Sequence, residues 1–110
     1  MSDDADYMLV GENGVPTGFV DLDQITIDAT VLMYQQAAVA GDDDAVDGVV
    51  HEFMAGRSAD EIGYITAAAL SLMTRHIVAP LLDVADQAAP QFNFRAKLVE
   101  AWDNAIEALK

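Results

Sequence analysis

The chain has 110 residues, no cysteine and a net charge of −14 at neutral pH. This length predicts one domain with a core of its own, and the lack of cysteine excludes disulfides and thiolate metal sites. The charge argues against direct binding of nucleic acids and of anionic membranes, because both require clustered Lys and Arg. The hydrophobic fraction of 53%, rich in alanine, favours a mainly α fold.

The charge is distributed unevenly along the chain. Residues 1–61 contain fourteen acids and one base, Arg57, whereas residues 62–110 contain five acids and four bases. The first half therefore carries −13 and the second half −1. An anionic half matches a basic protein surface electrostatically. The competing explanation is that the acidic excess only keeps an apolar protein soluble.

The N-terminal region begins with an acidic segment, residues 1–6, which we expect to be disordered. It lacks the basic and apolar regions of a signal peptide, so we expect a cytoplasmic protein. Two short apolar runs then flank the turn dipeptide Asn13-Gly14, which predicts a β-hairpin over residues 7–20. The glycines of this segment match neither of the common phosphate-binding loops.

Two helices are predicted next, over residues 23–40 and 43–55. Asp21 has capping-box spacing to Gln24 at the start of the first. Apolar residues at steps of three and four mark its buried face, and Gly41 is a typical left-handed helix end. The face consists of Ile25, Ala29, Leu32 and Val39.

An acidic cluster opens the second helix and is the candidate partner-facing patch. It consists of Asp42, Asp43, Asp44 and Asp47. Aspartates at a helix start cap the backbone and complement the helix dipole. A calcium loop beginning at Asp42 requires glycine at its sixth position and glutamate at its twelfth, where this chain has Asp47 and Phe53. We therefore expect no EF-hand here.

The stretch 58–79 is predicted to be a central helix that is buried on most sides. Ser58 and Glu61 have capping-box spacing at its start. Apolar residues then surround nearly the whole helix, which is typical of a core helix or of a membrane span. Arg75, His76 and Pro80 interrupt the apolar run, and Arg at a helix centre costs about 2.5–3.5 kcal/mol on insertion scales. We therefore favour a soluble helix over a membrane span.

Two further helices are predicted, over residues 81–88 and 93–109. Pro80 should stop or kink the preceding helix, so residues 58–88 are expected to form either one long helix kinked at Pro80 or two consecutive helices. Asn93 is a suitable N-cap for the last helix. The last helix has an apolar stripe in which Phe94 and Trp102 are expected to be core anchors. The stripe consists of Phe94, Leu98, Ala101, Trp102, Ala105 and Leu109.

The two histidines, His51 and His76, do not form a metal or catalytic motif. No His-x-x-x-His pair is present, and a zinc site would need two more ligands. Ser58 and Ser71 lack a nucleophile-elbow sequence, and Ser58 is explained as a cap. We therefore expect no enzymatic activity, no metal site, no cofactor and no catalytic residue.

These elements predict a single helical domain over residues 7–110, in which four to five helices surround the central helix (58–79) and a short N-terminal β-hairpin is appended. The Ala/Asp/Val-rich composition resembles that of small proteins from GC-rich actinobacteria and their phages, a resemblance of composition that covers no particular motif. We therefore expect a non-enzymatic interaction or regulatory protein, such as an accessory factor that binds a host protein, with a homodimer as one form of the interaction.

Two alternatives remain open. One is an acidic inhibitor that mimics nucleic acid on a basic, nucleic-acid-binding protein, which the −13 half would support. The other is a small ligand-binding or enzymatic bundle that uses His51, Glu52, Tyr64 and His76.

Overall fold

The structure, a computed structural model, describes the backbone of residues 6–10 and 16–110 and the side chains of residues 21–110. Its α-helices are α1 (Leu22–Ala38), α2 (Asp43–Met54), α3 (Ala59–Met73), α4 (Ala79–Ala88) and α5 (Phe94–Leu109). A π-helical turn, Thr74–Val78, joins α3 to α4, and a 3-10 turn, Pro90–Phe92, precedes α5. The prediction of a mainly helical chain is confirmed.

Two short strands precede the helices, β1 (Asp6–Val10) and β2 (Pro16–Asp21). Their backbones pair antiparallel, with Met8 opposite Phe19. The segment that would form the turn, residues 11–15, lies outside the described residues, and so do residues 1–5. The hairpin over 7–20 and the disordered segment 1–6 therefore stay predictions.

Internal contacts divide the chain into two compact units, Met1–Met73 and Thr74–Lys110. The acidic excess follows this division, because the first unit carries −13 and the second −1. The predicted single domain over 7–110, with all helices in one bundle, stays a prediction.

The core of the first unit lies between α1, α2 and α3. It consists of Ala29, Leu32, Phe53, Ile65 and Ala69. Ile25, Val49, Ile62, Ala68 and Leu72 pack around it and are half-buried. These positions recur at steps of three and four along each helix, so each helix turns one apolar stripe inward. The apolar face predicted for α1 is confirmed at Ala29 and Leu32.

The starts of α1 and α3 have the predicted caps. The Asp21 carboxylate accepts a hydrogen bond from the Gln24 backbone N–H at 3.1 Å. Ser58 Oγ accepts from the Glu61 N–H, and Glu61 Oε1 accepts from the Ser58 N–H, both at 3.2 Å. Each bond satisfies a backbone donor that has no partner within the helix.

The prediction that the central helix is buried on most sides is wrong. Along α3 the structure buries Ile65 and Ala69 but leaves Tyr64 48% exposed and Leu70 70% exposed. The reason is the number of neighbours: within the first unit α3 packs chiefly against α1, and one neighbouring helix covers one stripe. The apolar residues on the other side therefore contact solvent.

Pro80 does not end the helix, which continues from Ala59 to Ala88. Proline lacks an N–H, and its ring clashes with the carbonyl four residues earlier, here that of His76. The π-helical turn Thr74–Val78 lies immediately before Pro80, and such a turn is a known way to accommodate a break in the helical hydrogen-bond pattern. Of the two arrangements predicted around Pro80, the structure has the single long helix, with a local change of helix type at Thr74–Val78, and not two separate helices.

The expectation that Phe94 and Trp102 are core anchors is also wrong. Phe94 is 37% exposed and Trp102 is 65% exposed. In fact every residue from 90 to 110 is exposed. Within the second unit α4 is only ten residues long, and no further helix lies over the apolar stripe of α5.

Candidate interaction surface

The turn between α4 and α5 is held by polar contacts on one side. Asn93 adopts a left-handed conformation with a φ of 46° and accepts a hydrogen bond from the Ala96 N–H at 3.4 Å, which confirms the predicted cap. Arg95 donates to Asp83 at 2.7 Å and to Asp86 at 2.9 Å. The hydrogen bond to Asp86 raises the pKa of Arg95 above its ordinary value. These contacts fix the first turn of α5 to α4.

An apolar groove of about 410 Å³ lies between the two helices. It is lined by Val78, Leu81, Leu82, Ala85, Phe94, Lys97 and Leu98. The Lys97 ammonium lies 5.6 Å from the centroid of the Phe92 ring, and the Phe92 and Phe94 rings are 5.7 Å apart. The groove therefore offers apolar surface, with a single cation in its lining.

The exposed apolar side of α5 continues from this groove toward the C-terminus. We call it the α5 face and define it as Phe94, Leu98, Val99, Trp102, Ile106 and Leu109. These residues are 37%, 54%, 55%, 65%, 44% and 87% exposed. Together with the groove residues Val78 and Leu81, which are 37% and 64% exposed, they place eight large apolar side chains in contact with solvent.

So many large apolar side chains exposed along one helix are unusual for a monomer. Monomeric proteins seldom expose contiguous apolar patches above roughly 300–600 Å², and larger ones mark interaction sites. The α5 face with its groove is therefore the candidate interaction surface of the second unit.

The predicted acidic patch lies at the start of α2. Asp42, Asp43, Asp44 and Asp47 are all exposed. Asp42 is the N-cap, and its carboxylate accepts from the Ala45 N–H at 3.1 Å. Asp43 and Asp44 lie in the first turn, where the helix dipole stabilises negative charge. The patch thus has a structural role at Asp42, and its use by a partner stays a prediction.

Arg57 has contacts that the sequence did not reveal. Its Nη1 donates to the Phe53 carbonyl at 2.7 Å, and its guanidinium carbon lies 4.8 Å from the centroid of the Phe53 ring. Its Nη2 lies 3.6 Å from the Asp28 carboxylate. The sole base of the first unit therefore joins the end of α2 to α1. Only its isolation among fourteen acids could have indicated such a role.

The residues proposed for an enzymatic or ligand-binding bundle are all exposed: His51, Glu52, Tyr64 and His76. Glu52 lines a groove of about 250 Å³ beside Arg57, whereas Tyr64 lines a different one beside Gly63. Neither histidine is among the lining residues of these grooves. Within the part of the chain that the structure describes, no three His, Asp or Glu side chains are grouped as a metal site.

One helix among the described residues, Ala59–Ala88, is long and apolar enough to cross a membrane. Only 11% of its most apolar window is buried in the structure. Arg75 lies within this helix and is exposed, and a charged residue inside a span is costly. Length and composition alone are weak grounds for a membrane helix, because core helices of soluble proteins have the same properties.

Comparisons of the chain with known protein families, with curated proteins and with solved structures find no match.

Proposed function

We propose that this protein is a non-enzymatic interaction protein that binds through the α5 face. The observation that carries the proposal is the exposure of six large apolar side chains along one helix, among them Trp102 at 65%. Aromatic residues, and tryptophan above all, are enriched among the residues that dominate binding energies at interfaces. Leaving this surface in water would cost roughly 25 cal/mol for each Å² that a partner could cover.

The proposed role is that of a small cytoplasmic accessory or regulatory factor acting on another protein. The composition that resembles actinobacterial and phage proteins supports a host protein as that target. The acidic first unit, at −13, supports solubility while the apolar surface of the second unit is used for binding.

Capture from an actinobacterial cell extract tests this proposal when the wild type is compared with Trp102→Glu and Asn104→Glu. Residues two positions apart on a helix, such as Trp102 and Asn104, are separated by about 200° around its axis. The second variant therefore introduces a negative charge on the opposite side of α5. We expect Trp102→Glu to lose association, with itself or with another protein, and Asn104→Glu to retain it. Equal association by all three proteins would contradict a role for the α5 face.

Mimicry of nucleic acid is the second candidate, and the confinement of the acidic excess to the first unit favours it. Acids at the starts of α1, α2 and α3 already have local roles as caps or in first turns, which weakens it. Binding of a basic partner that disappears as salt is raised, and that survives Trp102→Glu, would support this candidate over the first.

A further inference from the structure

We propose that the groove between α4 and α5 binds a small amphiphile with an apolar tail and an anionic head, of which a long-chain carboxylate is the simplest. This inference goes beyond the proposed function, because it assigns a small-molecule ligand to the groove and does not concern the protein that covers the rest of the α5 face. The ligand is the free amphiphile in solution, and not a lipid surface.

The size and lining of the groove are the first argument. Its volume of about 410 Å³ lies in the range of about 300–1,000 Å³ that is typical of small-molecule sites. Seven residues line it, and six of them are apolar. One wall consists of Val78, Leu81, Leu82 and Ala85, and the other of Phe94 and Leu98. Each side of a protein interface supplies roughly 20–30 residues, so the groove suits an alkyl chain better than a folded partner.

The two walls are held together by contacts outside the lining. Arg95 at the start of α5 binds Asp83 and Asp86 of α4, and Asn93 caps the first turn of α5. The groove is therefore formed before any ligand enters, which lowers the cost of binding. The same ion pairs give both acids of α4 a cation, so neither is an unpaired charge that would repel an anion.

Lys97 is the second argument, because it is the only charged residue in the lining. Its ammonium lies 5.6 Å from the centroid of the Phe92 ring, and no carboxylate among the described side chains lies within ion-pair distance of it. Three other bases each pair with a carboxylate: Arg57, Arg95 and Lys110. The groove thus contains a cation for which the described part of the chain supplies no counter-charge.

The position of this charge selects the class of ligand. Lys97 lies one turn after Phe94 and next to Leu98, so its ammonium adjoins an apolar wall. A tail on the wall and an anion at the ammonium would satisfy both, whereas an uncharged apolar ligand would leave the ammonium without a counter-charge. The acidic excess lies in the first unit and the second carries only −1, so the unit that holds the groove repels an anion little.

Calorimetric titration of the full chain with octanoate, decanoate and dodecanoate, each below the concentration at which it forms micelles, tests the site. We expect one ligand per chain, bound up to about four-fold more tightly for each methylene added, because the groove buries the tail. No binding at any chain length would overturn the inference.

The anionic head is tested by comparing decanoate with uncharged decanol. Lys97→Gln should weaken the binding of decanoate about two- to five-fold and leave the binding of decanol unchanged. Lys110→Gln removes the same charge outside the lining and should change neither. If Lys97→Gln leaves decanoate binding as it is, or weakens both ligands equally, Lys97 does not bind the head and the proposed ligand class is wrong.

The groove itself is tested by filling it. Ala85→Phe should weaken decanoate binding at least roughly ten-fold, as would the loss of two buried methylenes. Ala88→Phe adds the same side chain at an exposed position outside the lining and should have no such effect. Leu81→Gln, at a lining position 64% exposed, repeats the test where folding is least affected. Equal binding by the wild type and by both groove variants would place the site elsewhere and overturn the inference.

Two further outcomes would also overturn the inference. Flotation of the chain with neutral phosphatidylcholine vesicles, abolished by Leu81→Gln, would make a lipid surface the occupant. A chain that binds no decanoate, but whose capture of another protein depends on Leu81, would make the groove part of a protein interface and leave the proposed function standing. Conversely, decanoate binding by a chain whose capture of partners is indifferent to Trp102→Glu would support the inference and contradict the proposed function.

Discussion

Single residues in this chain should differ in their contribution to folding stability according to how many other groups each one contacts. Arg57 is the clearest case, because one side chain makes an ion pair, a backbone hydrogen bond and a ring contact. Its side chain is 29% exposed and that of Asp28 24%, so solvent screens these contacts less than at an open surface. By contrast, the ion pair of Lys110 and Glu107 is exposed and should contribute little.

Replacing Arg57 by alanine should therefore destabilise the protein by about 1–2 kcal/mol, through the lost hydrogen bond and the lost contact with the Phe53 ring. Arg57→Lys keeps the charge but not the planar fork, so its cost should be smaller. Urea unfolding of both variants, compared with Lys110→Ala, measures the difference. If Arg57→Ala unfolds at the same urea concentration as the wild type, the contacts joining α2 to α1 contribute nothing to stability.

Four helices in this protein, α1, α2, α3 and α5, begin where a side chain accepts a hydrogen bond from a backbone N–H that has no partner within the helix. Asp21, Asp42, Ser58 and Asn93 each accept a hydrogen bond from the N–H three residues later. This chemistry is local, which explains why the helix starts were predicted to within about one residue. Helix packing involves distant residues, and there the predictions for α3 and α5 were wrong.

The aspartates of the acidic patch should differ in their contribution to stability, because only Asp42 is the N-cap of α2. We expect Asp42→Ala to cost about 1–2 kcal/mol, because it removes the N-cap hydrogen bond of α2 as well as a negative charge at the helix start. Asp44→Ala makes the same change of charge without removing a cap and should cost only about 0.3–1 kcal/mol through the helix dipole. Thermal unfolding followed by circular dichroism compares the two. Equal costs would mean that charge, and not the cap, determines the effect at this helix start.

At the scale of the whole molecule, the division into two units separates charge from apolar surface. The first unit has a core and fourteen acids, whereas the second leaves an apolar helix face exposed and is nearly neutral. In the proposed function, the charge of the first unit keeps the protein in solution and the apolar face of the second unit associates with a partner. We thus propose that association with a partner buries the apolar side chains that the second unit leaves exposed.

The apolar helix Ala59–Ala88 should not draw the protein into membranes. We expect the purified chain to stay with the aqueous fraction when floated with neutral vesicles and with anionic vesicles, because Arg75 and the acidic charge oppose insertion. A soluble protein of unrelated fold serves as the control for protein that floats only because it is trapped with the vesicles. Flotation with neutral vesicles would contradict the expectation and would make a lipid surface the occupant of the apolar faces.

The amino-acid sequence by itself determined the helical class, the helix starts at Asp21, Ser58 and Asn93, and the separation of charge between the two halves. These features depend on residues three or four positions apart, or on simple counts. Only the tertiary structure decided which apolar faces are covered, because burial depends on neighbours that lie far apart along the chain. It therefore left Trp102 in solvent, gave α3 a single buried stripe and placed Arg57 against Phe53 and Asp28. The candidate site followed from this outcome, since an apolar stripe has the same sequence pattern whether it is buried in a core or exposed for a partner.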